Sequence, residues 1–189
     1  MNVSMRKPMS RDEFLAWEGR QELRYEFDGF APIAMTGGSS EHAAIQRNLI
    51  TALTTRLRGK PCVPYGSELK IAVAGSIRYP DAFVVCSTVA RGTYVVDAPV
   101  VIFEVLRHTM AVTDRVVKNR EYQDTPSVLR YVMLEQLRPA ATVFERVGDD
   151  WVGHVLESPA VLAMPEIGIE LLLSELFEGV EFPESLEED

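Results

Sequence analysis

Asp81 and Glu104 stand where carboxylates are costly. Asp81 follows Pro80 at the head of the apolar run DAFVVC, and Glu104 interrupts PVVIFEVL, the strongest apolar run in the chain. A carboxylate inside a buried strand costs several kcal/mol unless it is paired, protonated or bound to a cation. Taken singly, each has an ordinary explanation: an ion pair with an Arg for Glu104, a strand-entry turn for Asp81. Together, 23 residues apart on two neighbouring strands, they can converge on one point. Two carboxylates with water and substrate oxygens make the octahedron that Mg2+ requires. The matching chemistry is metal-assisted hydrolysis of a phosphate ester.

The elements that must position this pair are readable in outline. SRDEFLAWE, residues 10–18, reads as a short helix capped by Ser10, with Glu13 completing a capping box. LRYEFDGFAPIAM reads as two short strands joined at Asp28-Gly29. Gly37-Gly38-Ser39-Ser40 breaks the chain ahead of a helix at roughly 41–58, whose apolar stripe is Ile45, Leu49, Ala52, Leu53 and Leu57. Strands follow at 67–73, turning at Ala74-Gly75-Ser76, at 81–86 and at 99–106. The last is apolar enough to be buried on both faces. A helix at about 112–123, a strand at 128–134 and a hairpin at 140–146 and 151–156 come next. A short amphipathic helix at 169–178 and a disordered SLEED tail end the chain. The expected class is α/β, a mixed central sheet flanked by helices, in a single domain spanning 1–189.

Composition bounds the function classes. The 189 residues are 47% hydrophobic and 25% charged, with a net charge of −9. Residues 1–60 carry 9 Lys+Arg against 7 Asp+Glu, residues 61–135 carry 8 against 8, and residues 136–189 carry 2 against 13. The acidity therefore belongs to the C-terminal third, while the stretch holding Asp81 and Glu104 is neutral. The overall charge counts against tight, non-specific binding of nucleic acid without excluding a local groove. No apolar run approaches a membrane span or a signal peptide, so the expected location is the cytoplasm. Cys62 and Cys86 fall in no metal-ligand spacing and read as two reduced, partly buried thiols.

The ordered set Tyr25-Glu26-Phe27-Asp28-Gly29, His42, Tyr79-Pro80-Asp81, Glu104-Val105-Leu106, Asp114, Lys118 and Tyr122 resembles the Uma-type restriction-endonuclease family over roughly residues 10–145. That family is assigned to the PD-(D/E)XK nuclease superfamily. The resemblance implies a restriction-endonuclease-like fold, DNA as substrate, Mg2+ or Mn2+ as cofactor, and Asp81 and Glu104 as metal ligands. Where the superfamily motif places its Lys, this chain has Leu106, and Lys118 matches a family Lys on the next helix. Lys118 would orient the attacking water and offset charge at the phosphate. Glu26 would add a third carboxylate or hold Lys118, and His42 would act as a general base or contact a phosphate at its helix N-terminus.

One departure stands beside the motif. The family usually continues Ser-Pro-Ser-Thr after Glu104-Val105-Leu106, whereas this chain continues Arg107-His108-Thr109-Met110. Arg107 can bind the scissile phosphate bidentately, or pair with Glu104 or Asp81 and block the site. The second outcome would make the chain a catalytically inactive, nuclease-like binding or regulatory protein. A homodimer is also expected, since cutting both strands suits a two-fold pair and the apolar hairpin at 140–156 offers a seam.

Overall fold

The structure, a computed structural model, describes residues 7–106 and 112–183, with the backbone alone for 112–114. Arg107, His108, Thr109 and Met110, the side chain of Asp114 and the SLEED tail lie outside the described residues. Helix α1 (Arg11–Glu18) leads into β1 (Tyr25–Phe27) and β2 (Pro32–Ala34). Next come α2 (Ser40–Leu57), β3 (Val63–Gly66), β4 (Lys70–Val73), β5 (Ser76–Arg78), β6 (Ala82–Val85), β7 (Val95–Val96) and β8 (Val101–Leu106). After α3 (Val112–Gln123) the chain forms β9 (Arg130–Glu135), β10 (Ala140–Val147), β11 (Asp150–Glu157), β12 (Val161–Met164), β13 (Ile169–Leu172) and α4 (Leu173–Leu176).

The strands form a six-stranded mixed sheet in the order β11-β10-β9-β8-β6-β3, a five-stranded sheet in the order β2-β1-β5-β4-β7, and the hairpin β12-β13. Within the large sheet β8 and β9 run parallel, and β6 pairs antiparallel with β8 on its other side. All six residues of β8 are buried, which is why its sequence is an apolar run rather than an alternation. Phe103 and Val105 face one apolar cluster, with α2, β12, β13 and α4. Ile102 and Leu106 face the other, with β4, β7 and Tyr122 of α3. Strand side chains alternate, so Glu104 shares the second face and points toward α3 and the smaller sheet.

The start of the chain follows the expected local chemistry. Ser10 caps α1 and Glu13 returns the bond, a complete capping box. The β1–β2 turn is held by Asp28 Oδ1, which accepts from the backbone N–H groups of Phe30 and Ala31, while Gly29 takes a φ of 84° that other residues resist. Helix α2 begins at Ser40, capped by Ser39, and buries Ile45, Leu49, Ala52, Leu53 and Leu57 as its stripe predicts.

Three expectations are corrected. The strand at 67–73 is shorter, Lys70–Val73, and after the Ala74-Gly75 turn the chain doubles back as β5. The helix expected at 169–178 is helical only over Leu173–Leu176. Residues 169–172 instead pair with β12, because Ile169 and Leu171 are buried while Glu170 and Leu172 face out, a period of two rather than 3.6. Cys62 and Cys86 are not reduced thiols but a disulfide. β3 and β6 pair with Val63 opposite Val85, so one further step along the ladder sets the two cysteines face to face, with Cα atoms 3.9 Å apart. Among the described residues, no helix is long and apolar enough to cross a membrane.

Candidate functional site

The β6–β8 register builds the site. Ala82 lies opposite Phe103, so Asp81, the residue before β6, meets the part of β8 that carries Glu104. Asp81 Oδ2 accepts from the backbone N–H of Val105 at 2.7 Å, and Oδ1 lies 2.8 Å from His42 Nε2. Asp81 is thereby fixed by the strand that bears Glu104 and by the first turn of α2.

Glu104 is 6% exposed. Its Oε1 accepts from the Tyr122 hydroxyl at 2.9 Å and from Lys118 Nζ at 3.3 Å. Both donors come from α3, four residues apart and therefore on one helical face. Burial pushes the Glu104 carboxyl up to about 7; Lys118 opposes that shift, while the charges of Asp81 and Glu26 add to it. Burial also holds the Tyr122 hydroxyl far above its ordinary range, with Glu104 adding to the effect, so it serves as a hydrogen-bond donor.

Lys118 is equally buried, and its Nζ also donates to Glu26 Oε1 at 3.1 Å. Glu26 Oε1 accepts in addition from the Tyr79 N–H, and Oε2 accepts from Arg78 at 3.1 Å. Burial raises the Glu26 carboxyl, but Lys118 and Arg78 outweigh it and hold the group below the usual carboxylate range. Arg78 is 1% exposed and forms two further bonds of 2.7 Å to the Glu121 carboxylate, so α3 is moored to β5 by an ion pair as well as to β8. Ser76 donates to the same carboxylate.

The sequence-derived residues thus divide. Asp81, Glu104 and Lys118 are brought together, with Tyr122 beside them. Glu26 holds Lys118, and of the two roles expected for it this is the one its bonds describe. His42 is 6% exposed with Nε2 on Asp81 and Nδ1 buried without a partner, so its ring is an Asp81 partner rather than an open general base. Leu106 is buried in the apolar cluster on the α3 side, and among the described residues Lys118 is the cation at Glu104. Arg107 and the side chain of Asp114 lie outside the described residues.

Sequence reasoning missed Arg78, Glu121 and Gln46. Gln46 stands one turn beyond His42, and its Nε2 donates to the Asp81 carbonyl at 2.9 Å and to Ser67 Oγ at 3.1 Å. The i, i+4 spacing from His42 was an available signal. Arg78 carried none, because the three-residue strand holding it is too short to show a period.

Among the described residues, no group of three or more His, Cys, Asp or Glu side chains is arranged to hold a metal ion. The donor set does suit a hard cation that keeps several waters, since such an ion needs only one or two carboxylates. Among the described residues of the cluster, Asp81, Glu104, Glu26 and Glu121 lie with Arg78, Lys118 and His42.

Comparison with known proteins adds three findings. Residues 11–175 match the Uma2 family, described as a putative restriction endonuclease, and the match runs past residue 145 through β13. The uncharacterized protein slr1290 of Synechocystis sp. is 28% identical over 178 residues, covering 92% of this chain and 94% of that protein. The crystal structure of a putative nuclease of DUF820 from Anabaena variabilis matches with a TM-score of 0.75 at 19% identity, over 90% of this chain and 98% of that one. At that identity the likeness is one of fold, and this chain shares that protein's mixed α/β architecture.

Proposed function

This chain belongs to the Uma2 family of putative restriction endonucleases, and on that footing we propose that it hydrolyses phosphodiester bonds in DNA with Mg2+ or Mn2+ held by Asp81 and Glu104. The observation that carries the reading is the convergence of two buried carboxylates and one buried ammonium from three separate elements. Stability alone does not call for such a network, because a buried ion pair contributes little to net stability and apolar groups of the same volume serve as well.

Asp81 and Glu104 would hold the cation through carboxylate oxygens. When bound, such a cation supplies a Lewis acid for the phosphate and lowers the pKa of a coordinated water. Lys118 presents a fixed positive charge beside Glu104, where negative charge builds on the phosphate and on the attacking oxygen. Glu26 orients Lys118 and keeps it from collapsing fully onto Glu104. Tyr122 holds Glu104 Oε1 from one turn further along the same helical face. His42 fixes the Asp81 carboxylate.

The test is incubation of the purified chain with supercoiled plasmid and single-stranded DNA in Mg2+ or Mn2+, beside Glu104→Ala. Cleavage by the wild type that disappears in EDTA and in Glu104→Ala supports the reading. Equal cleavage by the two proteins overturns it. Metal binding without any cleavage points to a binding or regulatory protein on the same scaffold.

A further inference from the structure

We propose that Gln46 is a positioning residue that sets how tightly Asp81 takes a divalent cation, an inference that rests on the reading of Asp81 as a cation ligand. Helix α2 presents His42 and Gln46 one turn apart, and both reach Asp81, by different routes. His42 touches only the carboxylate. Gln46 Nε2 donates to the Asp81 backbone carbonyl at 2.9 Å and approaches Oδ1 at 3.4 Å. A backbone carbonyl cannot donate, so the amide nitrogen must face Asp81 and the side chain has one sensible orientation.

The consequence is geometric. Asp81 precedes the first ladder residue of β6, where a strand-entry carbonyl is least constrained. The Gln46 bond fixes that carbonyl, and so the main-chain point from which the carboxylate departs. The Val105 N–H fixes Oδ2 and His42 fixes Oδ1. The same Nε2 also donates to Ser67 Oγ at 3.1 Å, just past the end of β3, so one amide nitrogen bridges Ser67 and Asp81. With main chain and both oxygens held, Asp81 loses little freedom when it binds a cation. Residues that hold a metal ligand in this way typically change metal affinity about 10- to 100-fold when removed.

Calorimetric titration of the full chain with Mn2+ tests this, using wild type, Asp81→Asn, Gln46→Met and Gln46→Asn. Gln46→Met preserves length without a donor, and Gln46→Asn keeps the amide but withdraws it by one methylene. The expected result is loss of binding in Asp81→Asn and about 10-fold or greater weakening in both Gln46 variants. Their metal-free unfolding midpoints should stay close to wild type. Wild-type affinity in either folded Gln46 variant, while Asp81→Asn has lost the site, overturns the proposal. Absence of Mn2+ binding by the wild type instead overturns the underlying reading of Asp81 and Glu104, so the two failures are distinguishable.

Discussion

Lys118 Nζ lies 3.3 Å from Glu104 Oε1, although the two residues belong to a helix and a strand and are 14 positions apart. Position 106, where a Lys was expected, holds a buried Leu. The ammonium therefore arrives from α3 rather than from β8, and it arrives tethered to Glu26.

Lys118→Met is expected to lower stability, since Glu26 and Glu104 lose a shared buried cation, and to lower DNA cleavage by the protein that remains folded by about 100-fold or more, the usual effect of removing one preorganised charge from a reacting centre. Single-turnover cleavage at saturating Mg2+ checks it, with circular dichroism as the control for folding. A change of less than a few fold would remove Lys118 from the chemistry.

Stability in EDTA should depend on pH through Glu104. Its carboxyl is raised to about 7 by burial, against 4.5 for the ordinary group. Between those values the folded protein holds a proton that the unfolded chain has released, so this contribution falls as pH rises from about 4.5 to about 7. Glu26 works in the opposite sense: its lowered pKa gives stability that is present above the ordinary value and lost as the solution is acidified. Urea midpoints at pH 5, 6 and 7.5 for wild type and Glu104→Gln read the first effect, and the variant should show a flatter profile over that window.

Arg78→Met should be among the most damaging single changes away from the apolar core. It leaves Glu26 and Glu121 without their shared cation at a fully buried position, and breaking such a pair costs about 3–5 kcal/mol. Equilibrium urea unfolding measures it. A loss under about 1 kcal/mol would mean that α3 does not depend on this ion pair.

Reduction of the Cys62–Cys86 disulfide should lower stability by about 3 kcal/mol, from the entropy returned to the unfolded chain when a loop of 24 residues of separation is released. Urea unfolding with and without dithiothreitol, repeated on Cys62→Ser, checks it. An identical midpoint in all three would show that the bridge does not restrict the unfolded chain.

The sequence exposed those parts of the site whose cost shows locally. Glu104 interrupts a run of apolar residues, Asp81 heads another, and the helical periods of α2 and α3 are long enough to place His42, Lys118 and Tyr122 on inward faces. What stayed hidden depends on pairing across distance. Arg78 lies on a three-residue strand, and its partners Glu26 and Glu121 are 52 and 43 residues away. The disulfide follows from the β3–β6 register, and β3 itself, VPYG, shows no strand pattern. β13 reads as part of a helix because its four alternating residues, 169–172, run straight into α4.

The central claim is that Asp81 and Glu104 share one divalent cation, and anomalous diffraction from crystals soaked in Mn2+ addresses it directly. A peak about 2.1 Å from a carboxylate oxygen of each residue is expected, absent in Glu104→Ala. A peak bound to neither carboxylate, or none at saturating Mn2+, would contradict it.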